Sequence, residues 1–203
     1  MRVVGGAWRG RRLLNPAARG IRPTMDRVRQ AIFDMLEARA LLRGALVLDL
    51  FAGTGAMGIE ALSRGASAAE FVEADRRAAR GIEANLEALD VAGIGASAAV
   101  VVARAEEFVA KAKEAGEHFD LAFVDPPYAW DRWESLMAQL PARWAVVETG
   151  RPLPDIAGWE EMARKRFGAT LVYLMRRLEA LPEPDNADAS CQQVRSLRGG
   201  GSG

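Results

Sequence analysis

The sequence predicts an α/β protein: a doubly wound, mostly parallel sheet of seven strands, preceded by an N-terminal β-hairpin extension. Three observations predict it. Short apolar runs alternate with stretches of helical periodicity from residue 45 to about 149, the pattern of a parallel sheet covered by helices on both faces. The last two runs, 163–168 and 169–177, look instead like a closing antiparallel pair. The chain has 203 residues, half of them apolar, which suits one domain with a full core and leaves little for a second.

The elements follow in order. Residues 2–14 read as two short strands around Gly5, Gly6 and Gly10, and Asn15-Pro16 breaks the pair. A helix is expected over 24–43, with Val28, Ile32, Met35 and Leu36 at helical spacing. Thr24 is its expected N-cap, with Pro23 stopping the helix from extending backward. Strands are expected at 45–51, 69–74, 97–103, 119–125 and 144–149, with helices at 56–64, 76–89, 105–115 and 131–140 between them. Right-handed crossovers turn such an alternation into a doubly wound sheet. The chain therefore divides into an extension over 1–43, a main domain over 44–178 and a tail over 179–203. The tail is polar and rich in Pro and Gly, and is expected to be disordered.

Charge and composition narrow the function. The net charge is zero, yet residues 1–43 hold ten Arg and three acids, about +7, which leaves about −7 on the remainder. Such asymmetry points to a basic patch for an anionic polymer, or else to a solvated arginine-rich arm. The single cysteine, Cys191, excludes a disulfide framework and a cysteine-based metal site, in keeping with a cytoplasmic setting. No apolar run reads as a signal peptide or a membrane span.

Chemistry is concentrated at two strand ends. Asp49, Phe51, Ala52, Gly53 and Gly55 close the first strand of the alternation, where a doubly wound sheet binds ligands. Gly53, Gly55 and Gly58 fit the dinucleotide spacing G-x-G-x-x-G, and Glu73 lies twenty residues past Gly53, where an acid suits ribose hydroxyls. The loop alone predicts a nucleoside-type ligand, and a nicotinamide-dependent oxidoreductase is one reading of it. The fourth strand ends Asp125-Pro126-Pro127-Tyr128. Two prolines fix the loop and remove N–H donors, leaving the Asp125 carboxylate and neighbouring carbonyls as acceptors beside a flat Tyr ring. Acceptors and a ring suit a planar base with an exocyclic amino group, and hydride transfer has no need of them.

DPPY behind DLFAGTG resembles the amino-methyltransferases that use S-adenosylmethionine. In more detail, RVVGGAWRGRRL, RPTMDRVRQAIFDML, LDLFAGTGAMGIEALSRGA, FVEAD and FVDPPY together resemble the bacterial RsmD family across residues 2–177. DPPY by itself is shared with DNA and protein methyltransferases, whereas RPT-x-DRVR with GxEALSRGA is more specific. The resemblance implies a Rossmann-like methyltransferase fold, S-adenosylmethionine as cofactor, no metal, and methylation of N2 of a guanine in small-subunit ribosomal RNA by a monomer. It implies Asp49, Phe51, Ala52, Gly53, Gly55, Glu73 and Ala105 for the cofactor and Asp125, Pro126, Pro127 and Tyr128 for the methyl acceptor. This chain departs from the family at Met25, where a second Thr is usual, at Gln30, where Glu is usual, and at Arg104, where a small polar or acidic residue is common. Arg carries no acceptor for the adenine amine, so of the adenine contacts the resemblance implies only the Ala105 backbone N–H, a donor, is left. A DNA or protein amino-methyltransferase, an oxidoreductase and a non-catalytic RNA-binding module remain the alternatives.

Arg9, Arg11, Arg12, Arg22, Arg27 and Arg29, with Thr24, are the candidates for RNA contact. Arg27 and Arg29, two apart on a helix, point to different sides. Trp8, flanked by Arg2 and Arg9, is a candidate to stack on a base, and the other four tryptophans read as packing. His118 reads as a surface residue, and Glu148 as either a wall of the base pocket or a turn cap.

Overall fold

A computed structural model describes residues 1–14, 23–127 and 129–179, with the side chains of 23–25 excepted. Helix α1 (Pro23–Glu37) leads into strand β1 (Leu46–Leu50), α2 (Ala56–Ser63), β2 (Ala68–Glu73) and α3 (Arg76–Leu89). A 3-10 turn at Val91–Ile94 precedes β3 (Ser97–Val102), α4 (Ala105–Glu114), β4 (Phe119–Val124) and α5 (Trp133–Gln139). Strands β5 (Ala142–Thr149), β6 (Trp159–Phe167) and β7 (Thr170–Arg177) complete the chain.

The seven strands form one sheet in the order β3-β2-β1-β4-β5-β7-β6. The first five run parallel, and β7 lies antiparallel between β5 and β6. This is the expected doubly wound, Rossmann-like sheet with its antiparallel closing pair. Successive residues of each strand serve opposite faces. Val47, Phe71, Leu121 and Phe123 face α1, α2 and α3 through Phe33, Leu36, Ile59 and Ile82. Leu48, Leu50, Val72 and Val124 face α4 and α5 through Phe108, Val109, Leu136 and Met137. The order reverses between β1 and β4, so the carboxyl ends of these two strands part there and open a crevice.

The N-terminal segment departs from its expected form. In place of two strands there is one antiparallel bridge between Arg2 and Arg12, flanked by Val3 N–H to Arg11 O at 2.9 Å. Gly10 N–H to Val3 O at 2.9 Å and Leu13 N–H to Met1 O at 3.1 Å add to this self-pairing, and the segment docks as a unit on α2. Ala7 N–H donates to Ser63 O at 2.7 Å and Ser63 Oγ donates to Gly5 O at 2.6 Å. A Cβ on Gly6 would stand 1.8 Å from Ser63 O, so only glycine permits the approach. Val3, Trp8 and Leu13 are buried in the same core as α1 and α2, so the extension shares its core with the sheet. Trp8, the candidate base-stacker, is 6% exposed and is a packing residue.

Helix α1 also differs from expectation. Pro23 is its first residue rather than a stop before it, a place where the missing N–H costs nothing. It ends at Glu37, six residues short of the predicted end. Leu41 N–H bonds Leu36 O at 3.1 Å, Ala40 N–H bonds Glu37 O at 2.9 Å, and Ala40 has φ 55°. That is a Schellman termination with alanine in the left-handed position where glycine would have been a visible signal. His118, expected on the surface, is half-buried with an enclosed Nδ1. Past Glu179, the expected disordered tail lies outside the described residues.

Candidate active site

At the end of β1 the chain turns through Phe51 (φ 57°), Gly53 and Gly55 into α2. Two carboxylates fix this turn. Asp49 accepts the Gly58 N–H at 2.8 Å, and Glu73 accepts the Gly53 N–H at 2.7 Å through one oxygen and the Asp75 N–H at 2.8 Å through the other. Asp49 is 3% exposed, so it anchors the start of α2 from below rather than facing the crevice. Gly58 sits where a Cβ would lie 2.3 Å from Phe71 Cε1, which lets α2 press onto the sheet. Ala52 is buried, and its N–H donates to Val72 O at 3.0 Å.

A cleft of about 590 Å³ opens across the strand ends, within the range of small-molecule sites. Its walls include Phe51 beside the glycine turn, Glu73 at the end of β2, Ala105 at the start of α4, and Asp125, Pro126 and Pro127 after β4. Of the residues predicted for cofactor and acceptor, Phe51, Glu73, Ala105, Asp125, Pro126 and Pro127 line this space, and Asp49, Ala52, Gly53 and Gly55 are not among its lining. Tyr128 and Arg22 lie outside the described residues, as does the Thr24 side chain. Arg104 also lines the cleft, as the residue before α4.

The electrostatics of the cleft are unusual. Burial pushes Asp125 up to about 6 and Glu148 up to about 8, the latter raised further by Asp125 and opposed by Arg29. The two carboxyls act on one another, so ionisation of one opposes ionisation of the other. Asp49 is pushed up to about 8 by burial, against the Gly58 hydrogen bond, with Asp125, Glu73 and Glu148 adding to the rise. Four carboxyls on β1, β2, β4 and β5 therefore share one field. A ligand bearing positive charge relieves it. S-adenosylmethionine carries a sulfonium and an ammonium as well as ribose hydroxyls for Glu73, so the residues present fit that cofactor.

The predicted RNA-contact residues separate. Arg9, Arg11, Arg12 and Arg27 are exposed, with Arg11 Nη2 donating to Ala88 O at 2.7 Å. Arg29 is not available for a phosphate. It is 3% exposed, bonds Asp26 at 2.8 Å and the Arg2 carbonyl, and lies 3.6 Å from Glu60. Glu60, itself buried, accepts the Val4 N–H at 2.8 Å and pairs with Arg64 at 2.8 Å. The DRVR arginine is thus a buried clasp between α1, α2 and the extension, a role the charge count cannot separate from a surface one.

Among the cleft residues the sequence reading did not assign to the site are Glu106 and Trp130, the latter expected to be packing. Trp130 Nε1 donates to Glu106 Oε1 at 3.0 Å, and both residues line the cleft. Twenty-four positions separate them, so no local pattern pairs them. The nearest signal was that Trp130 follows Tyr128 by two positions.

Fold, glycine turn, acid and DPP loop define an S-adenosylmethionine-dependent methyltransferase. The family described as Conserved hypothetical protein 95 matches residues 1–176. A protein named ribosomal RNA small subunit methyltransferase D from Escherichia coli K12 is 35% identical over 91% of this chain and 93% of its own. Its namesake from Haemophilus influenzae is 33% identical over 83% of this chain and 89% of its own. The chain belongs to this family, the RsmD family. Among solved structures, Escherichia coli yhhF matches with TM-score 0.75 and 36% identity over 87% of this chain and 97% of its own. Thermus thermophilus TTHA0928 matches with TM-score 0.70 and 34% identity over 86% and 98%.

Proposed function

We propose that this chain methylates the exocyclic N2 amino group of a guanine in small-subunit ribosomal RNA, as a monomer that needs no metal. The observation that carries the reading is the meeting of Asp125 and Pro126 with Glu73 and Phe51 around one cleft. The names of the relatives supply the ribosomal RNA, and the acceptor-rich DPP loop supplies the amino group.

S-adenosylmethionine, when bound, supplies an electrophilic methyl group. Glu73 is suited to the ribose, Gly53 and Gly55 to the amino-acid end, and the Ala105 N–H to the adenine. A guanine unstacked from its RNA enters beside Asp125 and Tyr128. Its N2 lone pair is delocalised into the ring and is a poor nucleophile. The Asp125 carboxylate and the Pro126 carbonyl accept its two hydrogens and favour a more tetrahedral nitrogen. The prolines hold these acceptors in place before the base arrives. Transfer would form the N–C bond as the bond from the methyl group to the sulfonium sulfur breaks, leaving a neutral thioether, and the strongly acidic nitrogen would then pass its extra proton to Asp125 or water. Outside the cleft, Arg9, Arg11, Arg12 and Arg27 contact phosphates. Holding donor and acceptor together contributes up to about 7–11 kcal/mol of the rate enhancement.

The deciding experiment is labelled methyl transfer to ribosomal RNA and to small subunits from cells lacking the enzyme, followed by nucleoside analysis. N2-methylguanosine is expected. Label on another base, on DNA or on protein would reassign the substrate, and no label despite RNA and cofactor binding would make the chain a binding module.

A further inference from the structure

Trp130 sits apart from the other tryptophans. Trp8, Trp133 and Trp159 are buried and Trp144, like Trp130, is half-buried, but Trp130 alone of the five lines the cleft, at the α4 side, next to Ala103, Arg104, Ala105 and Glu106. Its ring is held from several directions. The indole N–H donates to Glu106 Oε1 at 3.0 Å, the Trp133 ring meets it edge-on at 4.7 Å, and the Phe51 ring meets it edge-on at 5.6 Å. Its backbone N–H donates to Pro127 O at 2.8 Å, which ties the ring to the DPP loop.

We propose that Trp130 is the aromatic wall of the adenine subsite, and that Glu106 is the positioning residue that holds the indole there. This rests on the cofactor occupying the cleft as proposed above. The Glu106 contact places the ring at the start of α4, beside the Ala105 residue assigned above to the adenine and thus at the base end of a nucleoside whose ribose meets Glu73. Arg104, the residue before α4, offers donors only. With no acceptor from that side chain for the adenine amine, a flat π surface carries more of the recognition, and stacking tolerates a change in the base edge. Because Trp130 also touches Phe51 and Pro127, the same ring links the glycine turn to the acceptor loop.

Calorimetry with S-adenosylhomocysteine on the full chain tests this, with melting temperature measured alongside. Trp130→Ala and Glu106→Ala are expected to weaken binding by about tenfold, the scale of a lost stacking partner. Glu106→Gln, whose amide oxygen still accepts from the indole, is expected to restore near wild-type affinity. In Trp130→Phe most of the ligand-induced quench of tryptophan fluorescence should disappear. If Trp130→Ala does not fold, the Glu106 pair decides. Equal weakening in Glu106→Ala and Glu106→Gln would mean charge and not position, and would overturn the role of Glu106. Wild-type affinity in Trp130→Ala and Glu106→Ala, with binding lost in Glu73→Ala, would leave the cofactor in the cleft and reduce Trp130 to packing. Wild-type affinity in Glu73→Ala as well would remove the cofactor from this cleft, and both readings with it.

Discussion

Replacing Asp125 tests the acceptor loop most directly. Asp125 opens onto the cleft at the end of β4, and burial of its surroundings raises its carboxyl to about 6. Above that pH it is an ionised acceptor, and its hydrogen bonds should tighten as the amino nitrogen becomes tetrahedral. Asp125→Ala removes a preorganised acceptor of the transition state, so turnover should fall by about 10²–10³, or roughly 2.7–4 kcal/mol, with S-adenosylmethionine affinity within a few-fold of wild type. The raised carboxyl adds a second signature. In the wild type the single-turnover rate should fall as pH drops through about 6, because protonation converts the acceptor to a donor. In Asp125→Asn the rate should be low and lack that inflection. Unfolding would not account for the loss. A carboxyl raised in the folded state makes stability decline as pH rises from its unfolded value toward 6, so removing it should be neutral or stabilising near pH 8. Single-turnover transfer and cofactor titration on the same preparations check this. Wild-type turnover in Asp125→Ala would refute the reasoning, and an inflection near 6 that survives in Asp125→Asn would transfer the titration to another group, Glu148 first.

Three further outcomes are expected. Replacing the exposed Arg9, Arg11 and Arg12 by Ala should weaken RNA binding and flatten its salt dependence by roughly 0.7–0.9 of a slope unit per lost phosphate contact, with cofactor affinity unchanged; an unaltered slope would make the segment a structural strap only. Arg29→Ala should act on stability instead, lowering it by about 3–5 kcal/mol because Glu60 and Asp26 lose a buried partner, which urea unfolding reads; a normal midpoint with weakened RNA binding would reverse the assignment. Glu70 in β2 is 2% exposed, has an oxygen with no hydrogen-bond partner, and is pushed up to about 8 by burial and by Glu117. Glu70→Gln should therefore leave the melting temperature unchanged near pH 4 and raise it above pH 8. The wild type loses stability as pH rises from about 4.5 to 8, by at most about 5 kcal/mol; parallel curves for the two proteins would show that Glu70 has another partner.

Much of the fold was legible because it rests on local pattern. Helix α3 begins and ends where its periodicity does, and each central strand is an apolar run whose alternate residues feed opposite cores. The strand-end residues were legible for a related reason. A doubly wound sheet forces the ends of β1, β2 and β4 to one edge, so Phe51, Glu73 and Asp125 must meet if the strands are correctly placed. Helix α1 was overrun because its stop is made by Ala40 in a left-handed conformation, and alanine carries no such signal.

By itself the sequence determined the α/β class, the parallel order of elements, the edge on which the cleft lies and the family. Each follows from short-range periodicity or from motifs whose chemistry needs particular residues. Only the tertiary structure decided which charges are buried. Arg27 and Arg29 stand two positions apart with the same side chain, yet one is solvent-exposed and the other is locked to Glu60 on α2. It also decided that the self-paired N-terminal segment docks on Ser63 of α2, and that Trp130 meets Glu106. These contacts join residues tens of positions apart, and their energies depend on desolvation, which is a property of the packed molecule and not of any stretch of its chain.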